Sequence, residues 1–272
     1  MNAIDALFQD QQKRGAKAFM PFVTAGDPDL ETTARIVREV LQRGAHLVEI
    51  GFPYSDPIAD GSVIQASYTR ALAKGLHVDD VFAMIRGLAT FAPLVAMVSY
   101  SLVYHRGPEP FLADAATAGF SGAIVPDLPV EEAGELAALA AKRDFKLIQL
   151  VTPTTPRQRA LDIVSQSTGF VYVVSVTGIT GAREQLPPEL LDQLRWLRAQ
   201  TALPLCVGFG ISKPEHVRML RQAVDGVIVG SALVRRLENA NHKPPGELVR
   251  EIGDLTQTLS AALLEDQGSR QA

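Results

Sequence analysis

The sequence predicts an α/β protein folded as one closed (β/α)8 barrel (TIM barrel) with an extra helix at its N-terminus. Three observations carry this expectation. Eight short apolar runs, rich in β-branched residues, recur at 19–24, 46–50, 94–100, 123–125, 146–151, 170–175, 203–207 and 226–229. Most are near-continuous rather than alternating, as strands of a parallel sheet covered on both faces read. A helical pattern follows each run, and no composition break divides the 272 residues, a length that one α/β barrel fills. Residues 1–272 are therefore expected to form a single domain, frayed after about residue 265. An open doubly wound sheet is the alternative arrangement of the same elements.

The helix ends are legible in order. Residues 1–15 read as an amphipathic helix before the first strand. Asp29 is placed to cap a helix whose face is Thr33, Val37, Val40 and Leu41, with Gly44 past its end. A helix runs from Glu109-Pro110 to Gly119. Pro129 precedes a helix over 130–142, Pro156 one over 157–165, and Pro187 one whose apolar face includes Leu191, Leu194 and Leu197. Pro214 opens a helix over 216–223. Proline suits the first turn because its missing N–H would find no partner there. Residues 239–246 form a linker, and a second additional helix covers 247–264. Strands two and three are far apart, and beyond the intervening helix the remainder reads as a long loop, 51–67. Long ordered loops are commonly functional, and barrel sites sit on the loops at the carboxyl face.

Composition excludes several classes. Hydrophobic residues make up 47% and charged residues 21%, so the chain is globular. The net charge of −4 offers no basic excess for nucleic acid. One cysteine, Cys206, excludes a disulfide framework and a multi-cysteine metal site, and fits a reducing cytoplasm. The N-terminus lacks the unbroken apolar segment of a signal peptide. Residues 87–104 carry no charge, but Pro93, Ser99 and Ser101 interrupt them, so they read as a helix end, a turn and a buried strand rather than a membrane span. The five histidines show no metal-ligand spacing, and there is neither a dinucleotide fingerprint nor a P-loop lysine.

Several residues stand out chemically. Glu49 lies near the end of the apolar strand LVEI. A carboxylate there is either a rim glutamate held by a lysine or a general acid/base whose pKa is raised by apolar surroundings. The stretch GFPYSDPIADG that follows holds Asp56 and Asp60, each either an ordinary turn residue or a second proton-transfer or hydrogen-bonding group facing Glu49. Glycine-rich segments follow the last three strands: SVTGITG, VGFGIS and IVGSA. Glycine lets backbone N–H groups approach a phosphate closely, and barrels often bind phosphate there; glycine also simply turns strands into loops. Residues 177–184 have the composition of a lid. Tyr172 is either a core aromatic or a residue of the barrel mouth. Cys206 and Trp196 read as packing.

These residues bring the chain to a family. VEIGFPYSDPIADG at 48–61, with Ile64 and Gln65 after it, PFVTAGDP at 21–28, PDLPVEE at 126–132, TGITG at 177–181, GFGIS at 208–212 and GSALV at 230–234 together resemble the tryptophan synthase α subunit from about residue 3 to 264. The resemblance implies a (β/α)8 lyase of tryptophan biosynthesis that cleaves indole-3-glycerol phosphate to indole and glyceraldehyde 3-phosphate. It implies Glu49 as the acid/base, Asp60 as acceptor of the indole N–H, and Tyr172 as a residue that positions substrate. Phe22, Ile64 and Phe209 would line the indole pocket. Gly181, Gly210, Gly230 and Ser231 would hold the phosphate, and Thr180 would fasten the lid near Asp60. No cofactor or metal is implied in this chain; pyridoxal phosphate would belong to a partner β subunit in a cytoplasmic α2β2 complex, met through Pro53 and Asp56. Two departures stand out. Ser62 replaces a common proline, and SYSLVYHRG at 99–107 lacks an asparagine usual at the β contact, through an apparent one-residue deletion. A stand-alone lyase releasing free indole, a non-catalytic activating subunit and a phosphate-binding isomerase barrel are the alternatives.

Overall fold

The computed structural model describes residues 1–58, 60–88, 92–175, 188–208, 210–240 and 242–264. Eight parallel strands close a barrel in sequence order: β1 Ala18–Thr24, β2 Val48–Gly51, β3 Leu94–Met97, β4 Phe120–Ile124, β5 Lys146–Val151, β6 Val171–Val174, β7 Leu205–Gly208 and β8 Gly226–Val229, with β8 pairing back onto β1. All eight expected strands are present, and the doubly wound alternative is excluded by the closure. The helices among the described residues are α1 Ala3–Lys13, α2 Leu30–Gln42, α3 Ser62–Leu72, α4 Val78–Arg86, α5 Tyr100–Arg106, α6 Pro108–Ala118, α7 Gly134–Ala141, α8 Arg157–Gln166, α9 Pro188–Gln200, α10 Pro214–Leu220, α11 Ser231–Val234 and α12 Pro245–Leu264. None is long and apolar enough to cross a membrane.

The near-continuous apolar runs have a direct cause: each strand is buried on both faces. One cluster fills the lumen, with Met20 and Phe22 from β1, Val95 and Met97 from β3, Ile124 from β4, Ile148 from β5, Tyr172 and Val174 from β6, Cys206 from β7 and Ile228 from β8. A second fills the space between strands and helices. Strand period two sorts the residues. In β2, Val48 and Ile50 face outward, and so does Phe52 beyond the strand, where its ring meets those of Phe82, Phe111 and Phe120. Glu49 and Gly51 consequently face inward.

The extra N-terminal helix closes the amino end of the barrel. Its Ile4 and Phe8 join the lumen cluster, and Phe8 packs on Phe170 at 5.8 Å between ring centroids. Asn2 caps the helix by accepting from the Ile4 N–H, and its amide donates to the Ser121 and Asp144 carbonyls. At the other terminus α12 packs against α2 and α10.

Several boundaries differ from expectation. The strand expected over 94–100 ends at Met97. Ser99 caps α5 by accepting from the Ser101 N–H, and Asp127 accepts from the Ser99 hydroxyl at 2.6 Å and the Tyr100 N–H at 2.8 Å. The loop expected over 51–67 is shorter, because α3 begins at Ser62. The helix expected from residue 130 begins at Gly134. The Glu132 and Ala133 N–H groups reach back only three residues, to Pro129 and Val130, and the four-residue ladder starts with Ala137 on Ala133. In α9 Leu190 is buried instead of Leu191, and α10 ends at Leu220 rather than 223. Asp29 caps α2 as expected, at 2.6 Å from the Thr32 N–H. Ile36 is buried on that helix where Leu41 was expected.

Candidate active site at the carboxyl end of the barrel

Glu49 sits in the layer of the lumen set by its register partners, Phe22 on β1 and Val95 on β3. It is fully buried, and neither carboxyl oxygen has a hydrogen-bond partner among the described residues. The alternative of a rim glutamate held by a lysine is therefore wrong. A charge without a partner in apolar surroundings is costly, so the neutral acid is favoured. Burial pushes the Glu49 pKa up to about 8, and at neutral pH Glu49 is mostly a proton donor.

Asp60 lies just before α3 and is half-buried. Its pKa rises to about 6, first through burial and then through the charge of Asp127, while the Tyr54 hydroxyl opposes the rise. That hydroxyl is itself buried and near Asp60, although its approach falls short of regular hydrogen-bond geometry. Tyr54 packs on Tyr68 at 5.7 Å between centroids. Tyr68 lies one turn beyond Ile64 on α3, so both reach the lumen cluster from the same helix face. The charges of Asp60 and Glu49 both act on the Tyr68 and Tyr172 hydroxyls. The two carboxyl groups and two tyrosines thus share one space at this end of the lumen.

Two glycines make that space possible. A Cβ on Gly51 would come within 2.3 Å of the Phe22 ring and 2.7 Å of the Tyr68 hydroxyl, and one on Gly208 within 2.1 Å of the Tyr172 hydroxyl. Phe22, Ile64 and Tyr172 are all buried in the lumen cluster. Gly210 adopts φ +75°, a conformation that favours glycine, just past β7. Gly230 precedes α11, and the Leu233 and Val234 N–H groups bond to its carbonyl. The N–H groups of Ser231 and Ala232 in that first turn have no acceptor within the helix. Thr180, Gly181 and Phe209 lie outside the described residues, as does the lid expected over 177–184. Of the expected partner contacts, Pro53 is buried and Asp56 is exposed, the latter accepting from the Ser55 hydroxyl.

Tyr54, Tyr68 and Asp127 were not singled out from sequence. Tyr54 and Asp127 fall inside stretches that carried the resemblance. Tyr68 was open to an i, i+4 argument from Ile64 only once the start of α3 was known.

Fold and site together define a class: (β/α)8 barrels with carboxyl groups of raised pKa at the carboxyl end of the strands. Comparison with known proteins gives the family within that class. The family model described as "Tryptophan synthase alpha chain" matches residues 8–263. Tryptophan synthase alpha chain from Rhodopirellula baltica is 47% identical over 97% of this chain and 99% of that protein, and the one from Rippkaea orientalis 45% over 98% and 100%. Among solved structures, tryptophan synthase subunit alpha from Legionella pneumophila superposes with a TM-score of 0.87 at 34% identity, covering 97% of this chain and 98% of that one. A chain of the tryptophan synthase complex from Pyrococcus furiosus gives 0.81 at 35% identity, covering 90% and 99%. The chain belongs to the tryptophan synthase alpha chain family, and it is a lyase.

Proposed function

We propose that Glu49 and Asp60 carry the alpha reaction in this chain, the retro-aldol cleavage of indole-3-glycerol phosphate to indole and glyceraldehyde 3-phosphate. The single observation that supports these roles best is the sealed, unpartnered carboxyl of Glu49. Protonated at neutral pH, it delivers its proton to the indole C3. The ring nitrogen becomes cationic, and ionised Asp60 accepts from its N–H and stabilises the developing charge. Glu49, now a carboxylate, takes the proton from the side-chain hydroxyl. As the carbonyl forms, the bond between C3 and the glycerol carbon breaks and its electron pair returns to the ring, releasing neutral indole. The protonated ring takes up the electrons, so the step needs no cofactor.

Tyr172 orients the ring against Phe22 and Ile64, with Phe209 completing the pocket. Gly210, Gly230 and Ser231, with Gly181, hold the phosphate through backbone N–H groups, and Thr180 fastens the lid. The whole chain acts as one domain in the cytoplasm, paired in an α2β2 complex with a β subunit that holds the pyridoxal phosphate and receives the indole. Exposed Asp56 contributes to that contact, and buried Pro53 shapes the segment that carries it.

The test is indole formation by the purified chain, alone and with a β subunit, for wild type and Glu49→Gln. Slow cleavage alone, acceleration with β and a loss of at least about 10²-fold in the variant are expected, the usual worth of a positioned acid/base. Full activity of Glu49→Gln removes the assignment. Fast cleavage that ignores the β subunit points to a stand-alone lyase and to the altered segment 99–107 as its cause.

A further inference from the structure

The Asp60 carboxylate is held where it does not tend to stay. Burial and the nearby charge of Asp127 both disfavour its ionised form there, and Gly61, which follows, gives α3 no side-chain cap. The electrostatic cost is relieved if the carboxylate swings toward water. A side chain on the outer face of α3 holds the backbone that carries it. The Gln65 amide donates to the Asp60 carbonyl at 2.9 Å and to the Pro57 carbonyl at 3.0 Å, and the Asp60 N–H itself donates to the Pro57 carbonyl at 3.1 Å. One amide thus ties the Asp60 backbone to the helix that follows it.

The helix is itself fixed to the barrel. Asp27, almost fully buried in the turn after β1, accepts from the Ser67 hydroxyl at 2.5 Å and from Arg70 through Nε at 3.1 Å and Nη2 at 2.5 Å. A bidentate, charge-assisted contact of this kind fixes direction as well as distance. The connection runs from β1 through Asp27 to Ser67 and Arg70, along α3 to Gln65, and from Gln65 to Asp60.

We propose that Gln65 is a positioning residue for Asp60, holding its carboxylate toward the indole pocket, with Asp27 anchoring the helix from which Gln65 acts. This rests on the reading of Asp60 as the group that faces the indole N–H. Gln65 is exposed and belongs to neither the lumen nor the phosphate loops, so its replacement leaves the core intact. The isosteric Gln65→Glu keeps the shape and loses the donor; Gln65→Met keeps the length without polarity.

The experiment measures the alpha reaction of the full chain with its β subunit for Gln65→Glu, Gln65→Met, Asp60→Asn and the double variant Asp60→Asn/Gln65→Met. Two lost hydrogen bonds predict a fall in kcat of about tenfold in both Gln65 variants, with KM changed less than about twofold because the phosphate contacts persist. In Gln65→Met the acid limb of the pH profile moves to lower pH, since an unrestrained Asp60 is better solvated, whereas the new charge of Gln65→Glu opposes that shift. In the Asp60→Asn background Gln65→Met costs nothing further, as coupled residues do. If Asp60→Asn is impaired while the Gln65 variants keep kcat and the acid limb, or if Gln65→Met costs the same factor in both backgrounds, the positioning role is overturned and the reading of Asp60 survives. If Asp60→Asn is fully active, the reading of Asp60 fails first.

Discussion

Two carboxyl groups of the candidate site titrate differently because water reaches them differently. Glu49 has no hydrogen-bond partner among the described residues and no solvent, and its pKa stands near 8; Asp60 is half-exposed, and its pKa stands near 6. The proposed chemistry needs the first protonated and the second ionised, which both hold only between those values. We expect kcat/KM to rise through about pH 6 and fall through about pH 8, with the acid limb reduced in Asp60→Asn. The substrate phosphate titrates alike in both proteins, so the difference belongs to Asp60. An unchanged acid limb in that variant excludes it. Glu49 also couples to stability. Its folded pKa lies above the ordinary glutamate value of 4.5, so between 4.5 and about 8 the native state binds more protons than the unfolded state. Stability then falls as pH rises from about 4.5 to about 8 and is flat beyond. Glu49→Gln abolishes that component, worth on the order of a few kcal/mol for a sealed carboxyl. Denaturant midpoints at pH 5 and pH 8 test this, and an equal decline in variant and wild type contradicts it.

At the scale of elements, strands β2 and β7 end in glycines where neighbouring rings approach. The Tyr172 hydroxyl occupies the volume a Gly208 side chain would need. Gly208→Ala therefore displaces Tyr172 or bends β7. Overpacking of this kind costs about 1–3 kcal/mol, and we expect a lower melting temperature together with a raised KM. A variant with unchanged KM means that Tyr172 does not contact the substrate. The β3 to α5 junction shows the same dependence on contact. Ser99 and Asp127 end the strand at Met97, although the apolar pattern alone runs on to Tyr100. The unusual segment 99–107 thus begins as a capped helix, with Tyr100 and Tyr104 stacked at 6.1 Å and Tyr104 exposed.

For the whole molecule, the two ends of the barrel divide the labour. The carboxyl end carries Glu49 and Asp60, while α1 packs over the amino end, where charged groups are held in ion pairs. Phe8 is 6% exposed, packed on Phe170 inside the lumen cluster. Phe8→Ala leaves a cavity there, at a cost of about 3–5 kcal/mol. Urea unfolding should report that loss while the folded fraction keeps its turnover, because Phe8 lies at the far end from Glu49. A matching loss of kcat per folded molecule contradicts the separation of the two ends.

Much of this was written in local sequence. Eight apolar runs with helices between them predict a parallel α/β fold because strand and helix periods, proline starts and glycine ends act over a few residues each, while closure of the sheet had to be seen. Glu49 was conspicuous because a carboxyl inside LVEI breaks the apolar run, and the glycines after β6, β7 and β8 were conspicuous by composition. Indole came from the resemblance alone, since no spacing of residues names a ring. What only the tertiary structure decided was company. Whether Glu49 met a lysine, that Tyr54, Tyr68 and Asp127 surround Asp60, that Asp27 holds α3, and that Asp127 stops β3 all depend on residues distant in the chain. Barrel closure and helix packing bring them together, and burial and pKa follow from those contacts rather than from the neighbours along the sequence.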